Sequence, residues 1–195
     1  MTLPIKLTLS RLILTFLVAA FILMPGLIPK IAALIGFLLA ALTDWLDGYL
    51  ARRRRQVSAL GALLDPVADK VLVLGVLLAL LQVGMAPAWM VLLIALRELT
   101  VTGVRLMAAG RHVILPAAHE GKQKTVSQIV TILVILWALI LREVPPSAGA
   151  VAAGWRAAVN GVALACLWIT VVLTLSSGAS FFWRHRGVLK DIVAG

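Results

Sequence analysis

Long apolar stretches divide this chain into six, roughly residues 9–24, 31–51, 61–82, 87–108, 125–141 and 156–177. Each approaches the ~20 residues a helix needs to cross the hydrocarbon core of a bilayer. The breaks carry turn and stop residues: Pro25-Gly26 and Pro29, then Gly84 and Pro87, then Pro145-Pro146. A segment inside lipid must satisfy its backbone hydrogen bonds internally, so helices are expected. Hydrophobic residues make up 62% of the chain, against roughly 45–50% in ordinary soluble domains. The fold class predicted is an all-α integral membrane protein. It has six transmembrane helices, both termini in the cytoplasm and a short N-terminal amphipathic segment, with residues 1–195 as a single domain. The first stretch has Lys6 and Arg11 near its start but no small-residue cleavage site after it. It therefore reads as a retained span and not as a cleaved signal peptide.

Basic residues set the orientation. Arg52, Arg53, Arg54 and Arg55 follow the second stretch, and Arg111, Lys122 and Lys124 follow the fourth. Lys6 and Arg11 lie at the start, and Arg184, Arg186 and Lys190 at the end. The other connections are poor in positive charge, and this alternation places the rich ones and both termini in the cytoplasm. The net charge of +10 is explained by topology and by contact with anionic lipid or phosphate-bearing substrates. Aromatic residues are few and not interleaved with the basic ones, so a nucleic-acid partner is not expected. Trp89, Trp155 and Trp183, near segment ends, read as interface anchors. The lone cysteine, Cys166, reads as buried packing, and His112, His119 and His185 carry no catalytic role.

Against this background, half of the chain's eight acidic residues fall within residues 44–69. An ionisable side chain inside a membrane is costly and marks function by default. At 100° per residue, Asp44, Asp47, Gly48 and Ala51 share one stripe of a helix, and Gly61, Asp65 and Asp69 share another. Asp44 and Asp69 lie about 12 Å of helix rise from Arg52 and Gly61 respectively. A neighbouring antiparallel pair would bring all four carboxylates to similar depth near the cytoplasmic face. Such a group needs cations to offset its repulsion. An oxygen-only donor set suits Mg²⁺, Mn²⁺ or Ca²⁺ rather than zinc. Two divalent cations sharing ligands fit four carboxylates, and paired metals serve phosphoryl chemistry. Gly48, Ala51 and Gly61 allow either close helix packing or room for a ligand.

The full pattern is Asp-x-x-Asp-Gly-x-x-Ala-Arg, eight residues, then Gly-x-x-x-Asp-x-x-x-Asp, met at every fixed position from Asp44 to Asp69. It resembles the signature of the CDP-alcohol phosphotransferases. The resemblance implies displacement of CMP from a CDP-linked lipid or alcohol by the hydroxyl of a second alcohol. It implies two divalent cations, Mg²⁺ or Mn²⁺, held by Asp44, Asp47, Asp65 and Asp69, with Asp69 also the general base. Gly48, Ala51, Arg52, Gly61 and Thr43 would lie along the cytidine diphosphate. A homodimer among membrane lipids is also implied, in a bacterial inner membrane with the active site facing the cytoplasm.

The opening Leu3-Pro4-Ile5-Lys6-Leu7-Thr8-Leu9-Ser10-Arg11 is similar to one branch of that family, departing at Ile5, where asparagine is usual. That branch transfers a phosphatidyl group from CDP-diacylglycerol to glycerol-3-phosphate. The run from Gly121 to Thr125, with Gln128, resembles the same branch. Such an acceptor needs cationic partners, and Arg97, Arg105, Lys122 and Lys124 are the candidates. The lysines equally fit positive-inside signalling, and Arg97 equally fits a structural pairing with Glu98. Another acceptor, such as serine or inositol phosphate, stays open. A divalent-cation transporter is the alternative from a different class.

Overall fold

The computed structural model describes the backbone of residues 3–54, 59–110, 120–144 and 149–187, and the side chains of residues 9–43, 70–110, 123–144 and 154–187. The helices are α1 (Leu3–Leu23), α2 (Leu27–Arg54), α3 (Ala59–Gln82), α4 (Ala88–Gly110), α5 (Glu120–Glu143) and α6 (Gly149–Arg184). All regular structure among the described residues is α-helical, and each predicted apolar segment coincides with one helix, apart from Met24 just after α1 and Pro87 just before α4. The helices outrun the segments because hydropathy registers only the apolar middle. The short fifth segment is a 24-residue helix, and α6 reaches 36 residues, about 54 Å at the usual rise. Helix α1 begins at Leu3, so the expected N-terminal amphipathic stretch is continuous with the first helix and not a separate element.

Local chemistry explains the turns. Gly84 follows α3 with φ of 73°, a left-handed conformation that costs little only without a Cβ. Its N–H reaches Leu81 O at 3.0 Å, and Met85 N–H reaches Leu80 O at 2.9 Å, which closes the helix end in a Schellman motif. Pro87 O accepts from Met90 N–H at 3.1 Å and starts α4. At the end of α1, the buried Lys30 ammonium donates to the Ile22 carbonyl, and to Met24 O at 2.6 Å. Gly26 N–H in the same turn reaches Glu143 Oε2 of α5 at 3.2 Å.

Helix α1 packs against α2 and α3, α5 against α2 and α6, and α4 against α3 and α6. Val18, Ile22, Phe37, Leu77, Leu80, Met90, Ile94, Ile135 and Leu167 fill the common core. The outward faces are apolar too: Phe16, Ile28, Leu92, Leu99, Ile169 and Val172 are all more than half exposed. A surface of this kind is suited to hydrocarbon and not to water. Among the described residues, 123–143 and 154–184 are long and apolar enough to cross a membrane, while 9–23, 27–43 and 70–82 form shorter apolar helical stretches. Trp89 meets Trp168 edge-on at 5.2 Å, and Trp155 and Trp183 are largely exposed. Cys166 is half-buried on α6, less enclosed than a packing role requires.

Candidate active site

The two acidic stripes lie on helical backbone throughout. Asp44, Asp47, Gly48, Ala51 and Arg52 occupy the last turns of α2, and Gly61, Asp65 and Asp69 the first turns of α3. The 3.6-residue register behind the stripes therefore applies to both segments. The side chains of these residues, and that of Lys122 on the first turn of α5, lie outside the described set. The chemistry of the donor set fits hard divalent cations, since carboxylates are the only candidate ligands on these turns.

The described residues bordering those turns form a cavity of about 120 Å³ where five helices converge. Ala41 of α2 lines it three residues before Asp44, and Lys70 of α3 lines it one residue after Asp69. Arg11, Glu98, Thr125 and Gln128 contribute the other polar walls.

Glu98, only 1% exposed, organises this region. Lys70 Nζ stands 3.0 Å from its Oε2, and Arg97 Nη1 stands 3.1 Å from its Oε1. The Lys124 ammonium also donates to Oε1, and Gln128 Nε2 does so at 3.2 Å. A buried carboxylate is tolerable only when paired and hydrogen-bonded in this way. Three cations on one carboxylate leave two positive charges in formal excess, and that excess suits a neighbouring anion.

Arg97 has a second engagement, because its Nη2 reaches Ser177 Oγ of α6 at 2.5 Å. Gly178 makes room for it: a Cβ there would stand 3.0 Å from Arg97 Cγ. The structural pairing foreseen for Arg97 is thus present, with α6 added. Arg105, two turns further along α4, stacks its guanidinium on Phe181 at 5.3 Å from the ring centroid. Its Nε is buried without a hydrogen-bond partner among the described residues. Lys124 is buried against Glu98 and is not a loop cation. Thr43 donates to Leu39 O at 2.5 Å and borders a groove of about 310 Å³ with Ser10 and Arg11.

Comparison with known proteins decides the class of this site. The profile of the CDP-alcohol phosphatidyltransferase family matches residues 1–176. The chain belongs to that family. CDP-alcohol phosphatidyltransferases are membrane-embedded enzymes, so the acidic turns belong to a transferase and the transporter reading falls away. A Bacillus subtilis relative is 38% identical over 163 residues, covering 84% of this chain and 78% of its own. One from Salmonella choleraesuis is 36% identical over 194 residues, covering 96% and 97%. A third, from Cereibacter sphaeroides, is 32% identical over 184 residues, covering 82% and 83%. All three are named CDP-diacylglycerol–glycerol-3-phosphate 3-phosphatidyltransferase.

Sequence reasoning left Lys70 without a role and treated Glu98 only as a neighbour of Arg97. A signal was available, since Lys70 interrupts the third apolar segment, and a lysine there requires a partner. Which partner it takes depends on how α3 meets α4.

Proposed function

We propose that this protein transfers the phosphatidyl group of CDP-diacylglycerol to glycerol-3-phosphate, releasing CMP and forming phosphatidylglycerophosphate. The observation that carries the reading is the complete eight-position acidic motif, borne on α2 and α3 beside a cation-rich cavity. The names and near full-length coverage of the relatives support the choice of acceptor.

In this reading Asp44, Asp47, Asp65 and Asp69 hold two divalent cations, Mg²⁺ or Mn²⁺, which when bound neutralise the pyrophosphate. Thr43, Gly48, Ala51, Arg52 and Gly61 lie along the cytidine diphosphate. Asp69 takes the proton from the acceptor hydroxyl, an otherwise poor nucleophile at neutral pH. The hydroxyl oxygen bonds to the phosphorus that bears diacylglycerol, and the bond from that phosphorus to CMP breaks. Arg52 offsets charge on the departing phosphate. Arg105 and Lys122 take the acceptor's own phosphate, with Arg105 favoured by its buried Nε, which has no hydrogen-bond partner among the described residues. Arg97 and Lys124 serve that subsite from one step back, through Glu98.

All six helices span a bacterial inner membrane in this reading, with both termini and the active site at the cytoplasmic face, and two copies associate as a homodimer. The test is CMP release by purified protein with CDP-diacylglycerol, Mg²⁺ or Mn²⁺, and a panel of glycerol-3-phosphate, serine and inositol phosphate. Glycerol-3-phosphate should give the fastest release. A faster reaction with serine or inositol phosphate overturns the assignment of acceptor, and no release with any of them overturns the reaction.

A further inference from the structure

The motif accounts for the aspartates but not for the buried charge cluster next to them. Lys70 directly follows Asp69 in the chain. Its ammonium is tied to Glu98 of α4 at 3.0 Å. The same carboxylate takes Lys124 and Gln128 of α5, and its neighbour Arg97 holds Ser177 of α6. One side chain, itself fully enclosed, thus joins the turn of α3 that carries the candidate base to three other helices.

Helix geometry makes this consequential. Consecutive residues are 100° apart around the axis, so an anchor on Lys70 fixes the rotation of the Asp69 turn as well. A carboxylate centre for divalent cations tolerates little misplacement of its ligands.

We propose that Glu98 is a positioning residue: through Lys70 it sets the rotation of α3, and so the affinity of the Asp65 and Asp69 turns for divalent cation. This rests on the proposed metal-dependent transfer. It assigns to Glu98 no contact with substrate.

Charge alone makes a different prediction, and the two can be separated. Removing the Glu98 charge near a cation site weakens metal binding by electrostatics, while removing the Lys70 charge strengthens it. Loss of an anchor weakens binding in both cases. The experiment is a Mn²⁺ binding isotherm followed by electron paramagnetic resonance, on full-length wild type, Glu98→Gln, Lys70→Met and the double variant in detergent. Positioning predicts that both single variants raise the Mn²⁺ dissociation constant by roughly tenfold or more, as supporting-shell losses do. The double variant should be no worse than the weaker single one, because both remove one link.

Tighter or unchanged Mn²⁺ binding in Lys70→Met overturns the proposal. Should Glu98→Gln fail to fold, Glu98→Asp keeps the charge and shortens the arm, and unchanged Mn²⁺ affinity in that variant also overturns it. Lys30→Met, which removes the buried ammonium from the α1–α2 turn at the far end of α2 from the aspartates, should lower the melting temperature while leaving Mn²⁺ affinity intact. An equal affinity loss there would mean that general destabilisation is the cause. The binding readout needs no acceptor, so a wild type that binds Mn²⁺ but releases no CMP sinks the proposed reaction alone. A wild type that binds no Mn²⁺ sinks both.

Discussion

The methyl of Thr15 on α1 lies 2.7 Å from the place where a Cβ on Gly75 of α3 would stand. Two helices can approach this closely only because one of them presents bare backbone. Gly75→Ala should therefore destabilise the protein by about 1–3 kcal/mol through overpacking, despite alanine's better helix propensity. Adding Thr15→Ser should recover most of that loss. The serine drops the clashing methyl and keeps the hydroxyl that donates to Arg11 O at 2.8 Å. Thermal unfolding in detergent of the two single variants and the pair checks this.

Thr131 and Thr170 share a buried hydroxyl–hydroxyl bond of 2.8 Å between α5 and α6. Thr131→Val should cost about 1 kcal/mol, and Thr170→Val a similar amount, since each leaves a hydroxyl partner behind. The double valine variant should be less destabilised than the sum. A double-mutant cycle on unfolding midpoints gives the coupling.

Asp69→Asn should lower CMP release by at least ~10²-fold, the usual contribution of a positioned base. Binding of CDP-diacylglycerol should persist, because in the proposed reading the other aspartates still supply carboxylate ligands. Turnover near the wild-type rate would remove Asp69 from the role of base.

Arg105 stacks on Phe181 and keeps a buried Nε without a described partner. Lysine cannot reproduce a stacked, forked guanidinium. Arg105→Lys should raise KM for glycerol-3-phosphate by roughly tenfold, the scale of one charge-assisted hydrogen bond. KM for CDP-diacylglycerol should not change. Initial-rate kinetics with each substrate varied in turn provide the measurement.

Much of this was legible without a structure. Hydropathy located the helices, because the cost of exposing backbone to hydrocarbon is a local property of each segment. Helical periodicity put the acids of each segment on a shared face, and the fixed residues from Asp44 to Asp69 resembled a family pattern. Lys124 was not legible. It sits in a basic run before the fifth apolar segment, where charge counting makes it a topological signal. In the folded protein it is buried on Glu98, 26 residues away in sequence.

The chain by itself determined that apolar helices would form, where they would break, and that four aspartates would share two helical turns. Tertiary structure alone decided where the remaining cation contacts fall: Lys70 and Lys124 on Glu98, Arg97 on Ser177, and Arg105 on Phe181. The reason is physical. A helix and its periodicity depend on neighbours within a few residues. An ion pair between helices depends on their relative rotation and depth, which are set by packing such as that of Gly75 against Thr15 and Gly178 against Arg97.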